Sequence, residues 1–193
     1  MRQPEPALAF YLRHAADIEA LRELRKPPNG ITGEDWQKFR EVVKSANQQA
    51  ASLIREARDA GFSMLKDTVI PDGFGSREKT IEEELDGSMG FKLRGKGNRR
   101  RVAYAGILLE AAGSGARLVA YVTPVDSACI PRLSQSLKKA GLEPKAGVTA
   151  QLEDGWVPIA HIPLTPTADL DTAITACRTA FAKAKKCLVL LDE

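Results

Sequence analysis

The chain of 193 residues has two histidines, three cysteines and only 6% aromatic residues. Each scarcity excludes something. His14 and His161, with Cys129, Cys177 and Cys187 scattered and no Cys-x-x-Cys pair among them, do not supply the ligand spacings of zinc sites. An odd cysteine count without paired spacing argues for reduced thiols in a reducing compartment. No apolar run approaches the roughly 18–20 residues of a membrane span. The opening Met-Arg-Gln-Pro-Glu-Pro lacks the apolar core of a signal peptide. The expected location is therefore cytoplasmic.

Catalytic motifs are missing too. Gly73-Phe74-Gly75 is not followed by the lysine and hydroxyl residue of a phosphate loop, and Gly95-Lys96-Gly97 does not open a helix. No Gly-x-Ser-x-Gly elbow accompanies His161, whose conceivable partners would be Asp169 or Cys129. The acidic run Glu82, Glu83, Glu84 and Asp86 would need a second carboxylate and a lysine on a neighbouring strand to bind a nuclease metal. Glu110 is the sole acid of the central apolar strands, and no lysine follows it at that spacing. The expectation is a protein that is not an enzyme, with no cofactor and no metal.

What the chain does have is unevenly placed charge. Residues 1–90 hold 13 basic and 16 acidic residues, a net of −3; residues 91–193 hold 15 and 9, a net of +6. The densest stretch is Lys-Leu-Arg-Gly-Lys-Gly-Asn-Arg-Arg-Arg at 92–101, where Lys92, Arg94, Lys96, Arg99, Arg100 and Arg101 surround the turn formers Gly95, Gly97 and Asn98. This predicts a β-hairpin with a cationic tip. Phe91 and Tyr104 flank it and are candidates to stack on bases. Three readings compete: a contact for nucleic acid or another polyanion, a solvated tip that discourages edge pairing, and an internal partner for Glu82–Asp86.

Hydrophobic periodicity organises the rest. Leu8, Tyr11, Leu12, Ala15, Ile18 and Leu21 predict a helix over 5–25, stopped by Pro27-Pro28-Asn29-Gly30. Thr32 caps a second helix in which Trp36, Phe39, Val43, Ala46, Ala50, Leu53, Ala57 and Ala60 alternate at +3 and +4, with Gly61 as its expected terminator. At 1.5 Å per residue it spans about 40 Å, longer than the first helix, so part of its seam needs another partner. Trp36, Phe39 and Val43 are the candidate protein-interface residues, and a homodimer the expected form.

Behind a weakly patterned junction, Met89–Lys96, Arg101–Ala111 and Arg117–Thr123 read as strands, the last two apolar on both faces and hence central. A helix over 128–140 follows, with Arg132, Lys138 and Lys139 outward. Strands at 148–152 and 156–164 then flank the Asp154-Gly155 turn, and Pro158 and Pro163 place the second at a sheet edge. A helix from about 168 ends the chain. The predicted fold is α+β: an N-terminal helical hairpin (1–61), a junction (62–87), and a mainly antiparallel βββαββα domain (88–193) with helices on one face. In element order alone, the back part is similar to small secretion chaperones that dimerise and hold an effector segment. That likeness implies an alternative, a dimeric holder of a protein segment. The leading expectation is a non-enzymatic protein that binds a macromolecule through its long helix and basic hairpin, with nucleic acid as the alternative partner and no membrane contact.

Overall fold

The computed structural model describes residues 1–22, 24, 26–63, 69–71, 85, 89–93, 101–112, 115–124, 126–142 and 156–189. The expected strand at 148–152, the Asp154-Gly155 turn and the helical turn at 80–83 lie outside these residues. Two helices come first, α1 (Pro6–Arg22) and α2 (Gly33–Ser63). The cap expected of Thr32 is present: its Oγ1 accepts from the Asp35 amide at 3.1 Å and its hydroxyl donates to Asp35 Oδ2 at 2.7 Å. α1 is interrupted at His14, whose φ of −124° and ψ of 25° leave the helical region.

Among the described residues, five strands form one sheet in the order β1-β2-β3-β4-β5, with every neighbouring pair antiparallel. They are β1 (Val69–Pro71), β2 (Met89–Leu93), β3 (Arg101–Ala112), β4 (Gly115–Pro124) and β5 (Val157–Leu164). A short 3-10 turn at Ser127–Cys129 leads into α3 (Ile130–Lys139), and α4 (Leu170–Val189) follows β5. β3 and β4 are flanked on both sides, as residues apolar on both faces require, and β5, with its two prolines, is last in the order. β1 escapes sequence reading because three residues ending in Pro71 carry no period.

The register sorts the side chains. Ala103, Ala105, Ile107 and Leu109 of β3 lie level with Pro124, Val122, Ala120 and Leu118 of β4 and share one face. This face is the core: Ala105, Ile107, Leu118, Ala120 and Val122 are all fully buried beside Leu12, Ala46, Ile54, Leu137 and Phe181 of the helices. The helices thus cover one face, as expected.

Two local readings need correction. Gly61 does not end α2, which continues to Ser63; Gly61 lies within the helix because the Phe181 ring of α4 sits against it. Strict alternation over 156–164 would put His161 on one face with Val157 and Ile159, but His161 does not share a face with Val157. The β4–β5 register shifts between Ala120 and Tyr121, so that Val157 is level with Val122 on the core face while His161 is level with Val119 on the other. A bulge inserts one residue into the strand and reverses the alternation beyond it.

Candidate polyanion interface

The cationic run begins on β2 and ends on β3. These consecutive strands pair antiparallel, and the register sets Lys92 opposite Arg101, with Phe91 opposite Ala103 and Gly90 opposite Tyr104. Both ends of the run therefore stand at the same end of the sheet. Arg94, Lys96, Arg99 and Arg100 lie outside the described residues. Tyr104 is half-buried on the face away from the helices, level with Thr123 of β4. One strand further, Tyr121 of β4 stacks on Trp156, with ring centroids 4.5 Å apart and planes 4° from parallel. Tyr121 is 3% exposed, so the stack is an internal contact.

The acidic run offered an internal partner for these cations. One of its residues, Leu85, is described, and it is buried in the core. The Leu109 amide donates to the Leu85 carbonyl at 3.0 Å. Leu109 lies eight residues along β3 from Arg101, about 26 Å at 3.3 Å per residue. Leu85, within the acidic run, is thus moored toward the opposite end of the strand from the cations. Leu85 holds a left-handed φ of 52° there, an uncommon conformation for a side chain with a Cβ.

The other candidate residues fall into place by packing. Trp36 and Val43 are each 8% exposed, and Phe39 stacks on Trp36 at 5.3 Å while packing against the core. The seam that α1 leaves free continues along α4, where Phe62 meets Phe181 edge to face at 5.4 Å. Glu110 is engaged by Arg117 directly across the β3–β4 ladder, the guanidinium Nε donating to the carboxylate at 2.7 Å. Burial pushes the Cys177 thiol up to about 12 and raises that of Cys187. Among the described residues, no three His, Cys, Asp or Glu side chains gather as a metal would require, and no helix is long and apolar enough to cross a membrane. No protein-family model matches the chain, and neither a curated protein nor a solved structure matches it.

Proposed function

We propose that the chain is a non-enzymatic binding protein whose Lys92–Arg101 segment docks the phosphate backbone of nucleic acid. The observation that supports this most is the Lys92–Arg101 register pair, which gathers the two ends of a six-cation run at one end of the sheet. Arginine and lysine in such density recognise phosphates by charge, and arginine adds a planar fork. The mooring of Leu85 toward the far end of β3 weakens the rival in which Glu82–Asp86 neutralises the run. Two aromatics lie near the cluster in register, Phe91 next to Lys92 and Tyr104 three residues along β3 from Arg101. Self-association through Trp36, Phe39 and Val43 has less behind it, since two of the three are spent on packing within the chain.

The test is a salt titration. Arg99, Arg100 and Arg101 changed together to Ala should lower the slope of log K against log salt by about 2–3, near 0.9 per lost phosphate contact on duplex DNA. Binding unchanged by the substitutions, or none by the wild type at about 20 mM salt, refutes the proposal.

A further inference from the structure

The helices differ sharply in how they carry charge. α2 mixes signs, with five acidic residues among five basic ones, as a solvated face does. α3 has Arg132, Lys138 and Lys139 and no acid; α4 has Arg178, Lys183, Lys185 and Lys186 and a lone acid, Asp171, in its first turn. Lysines in a last turn complement the helix dipole, which accounts for Lys138, Lys139 and Lys186. It does not account for Arg132, Arg178 or Lys183, nor for the absence of any acid from Thr172 to Val189. Lys139, Arg178, Lys183 and Lys186 are exposed, and no hydrogen bond or ion pair engages them among the described residues.

The two helices pack against each other. Leu142, three residues beyond α3, and Lys183 line one open groove of about 390 Å³ with Ile159 of β5 and Thr179 of α4. α4 leaves β5 after five residues and packs back along it, so its second half returns toward Val157. Val157 is level with Val122, and Pro124, two residues on, is level with Ala103 beside Arg101. Lys183 and Lys186 therefore stand at the end of the molecule that carries the Lys92–Arg101 pair.

We propose that the outward face of α3 and α4, through Lys139, Lys183 and Lys186, is a second contact surface for the backbone of the same nucleic acid. The ligand class rests on the reading above; the residues do not. Charge complementarity selects the occupant. A single-sign surface attracts phosphate, and among the described side chains of α3 and α4 no large apolar one is exposed, so the face they form lacks the anchors of a protein hot spot and the wedge of a membrane-lying helix.

The full chain, the K139Q/K183Q/K186Q variant and the R99A/R100A/R101A variant would be titrated by anisotropy against a labelled single strand and a duplex of about 30 nucleotides, at several salt concentrations. Glutamine keeps the helix propensity, and unchanged circular dichroism and melting confirm the fold. The helix variant should lower the salt slope by about 2–3 and weaken binding about tenfold near physiological salt. If the helix variant binds as wild type while the arginine variant fails, the α3–α4 inference is wrong and the hairpin reading stands. The reverse pattern sinks the hairpin reading and keeps this one. No binding to either probe at about 20 mM salt removes both. Capture by phosphatidylserine vesicles in place of nucleic acid, lost in the helix variant, assigns the face to membrane and overturns the proposal.

Discussion

Gly61 shows how one residue decides a helix contact. A methyl built there meets the Phe181 ring, with Cε2 at 2.9 Å, so α2 and α4 approach as closely as they do only because this position has no side chain. Alanine would gain up to about 1 kcal/mol in helix propensity but overpack a filled core at about 1–3 kcal/mol. Gly61→Ala should therefore lower stability by about 1–2 kcal/mol in urea unfolding, and adding Phe181→Leu should recover part of that loss. An unchanged midpoint would mean the helices slide apart freely. Asp169 decides the start of α4. Its carboxylate accepts from the Thr172 hydroxyl at 2.8 Å and from the Arg2 amide at 3.0 Å, and the Thr172 bond chiefly holds its pKa below the usual carboxylate value. A depressed folded-state pKa stabilises the fold above the unfolded value of about 3.9, and that contribution disappears as pH falls through the lower folded value. Asp169→Ala should thus melt below the wild type at neutral pH, with the gap closing as pH falls below the unfolded value of about 3.9. A gap constant across that range would rule out the linkage. The cysteines divide in the same local way. Cys177, fully buried with its thiol at about 12, should resist alkylation until the chain unfolds, while the partly exposed Cys129 reacts in the native state; rapid native labelling of Cys177 would contradict its burial.

Elements were readable where a period repeats long enough and obscured where one residue breaks it. The seam of α2 was legible over eight positions because each step of three or four returns to the same face. Its partner was not, since the excess of α2 over α1 is filled by α4, a helix more than a hundred residues later in the chain. Position 61 read as a stop signal because glycine ends helices more often than it admits an aromatic ring. In β5, last of the described strands, the shift at Ala120/Tyr121 reverses the alternation, which is why His161 reads onto the wrong face. Of the candidate contact surface, the 92–101 run was legible from charge density alone. The α3–α4 cations were not, because lysines spaced along helices read individually as solvated positions. The chain's first residues add a tie that no period announces. Arg2 donates to both oxygens of Glu56 on α2 at 2.9 and 3.1 Å, and its carbonyl accepts from the Leu170 amide at the start of α4 at 2.9 Å. The ion pair is substantially exposed, so Arg2→Ala should cost under about 1 kcal/mol, because the backbone bonds survive the change. Deleting residues 1–5 removes those bonds too and should lower the melting temperature further than the point variant does. Equal melting of the two variants would show that the backbone tie contributes nothing.

At the scale of the whole molecule, the helical hairpin and the sheet share their core. One contiguous cluster of buried residues runs from Leu8, Tyr11 and Leu12 of α1 through Ala50, Ile54 and Ala57 of α2 to Ile107, Leu118 and Ala120 of the sheet and Cys177 and Phe181 of α4. The composition shift between the acidic front and the basic back thus divides the surface while the interior stays common to both. That arrangement has a thermodynamic consequence. A fragment of residues 88–193 would leave Leu118, Ala120 and Phe181 without α1 and α2 over them, and burying even one large apolar side chain is worth about 1.5–3 kcal/mol. Losing several such contacts is comparable with a typical domain stability of about 5–15 kcal/mol. The intact chain should therefore unfold in one transition, with calorimetric and van't Hoff enthalpies in agreement and coincident far- and near-ultraviolet dichroism. The 88–193 fragment alone should give no cooperative melt. Two resolved transitions in the full chain, or a fragment that melts cooperatively, would mean that the hairpin docks on a sheet already stable without it. Any displacement of the hairpin on ligand binding would then be inexpensive. In the single-core arrangement it is costly, so the proposed docking of nucleic acid at the charged end of the molecule would leave α1 and α2 in place.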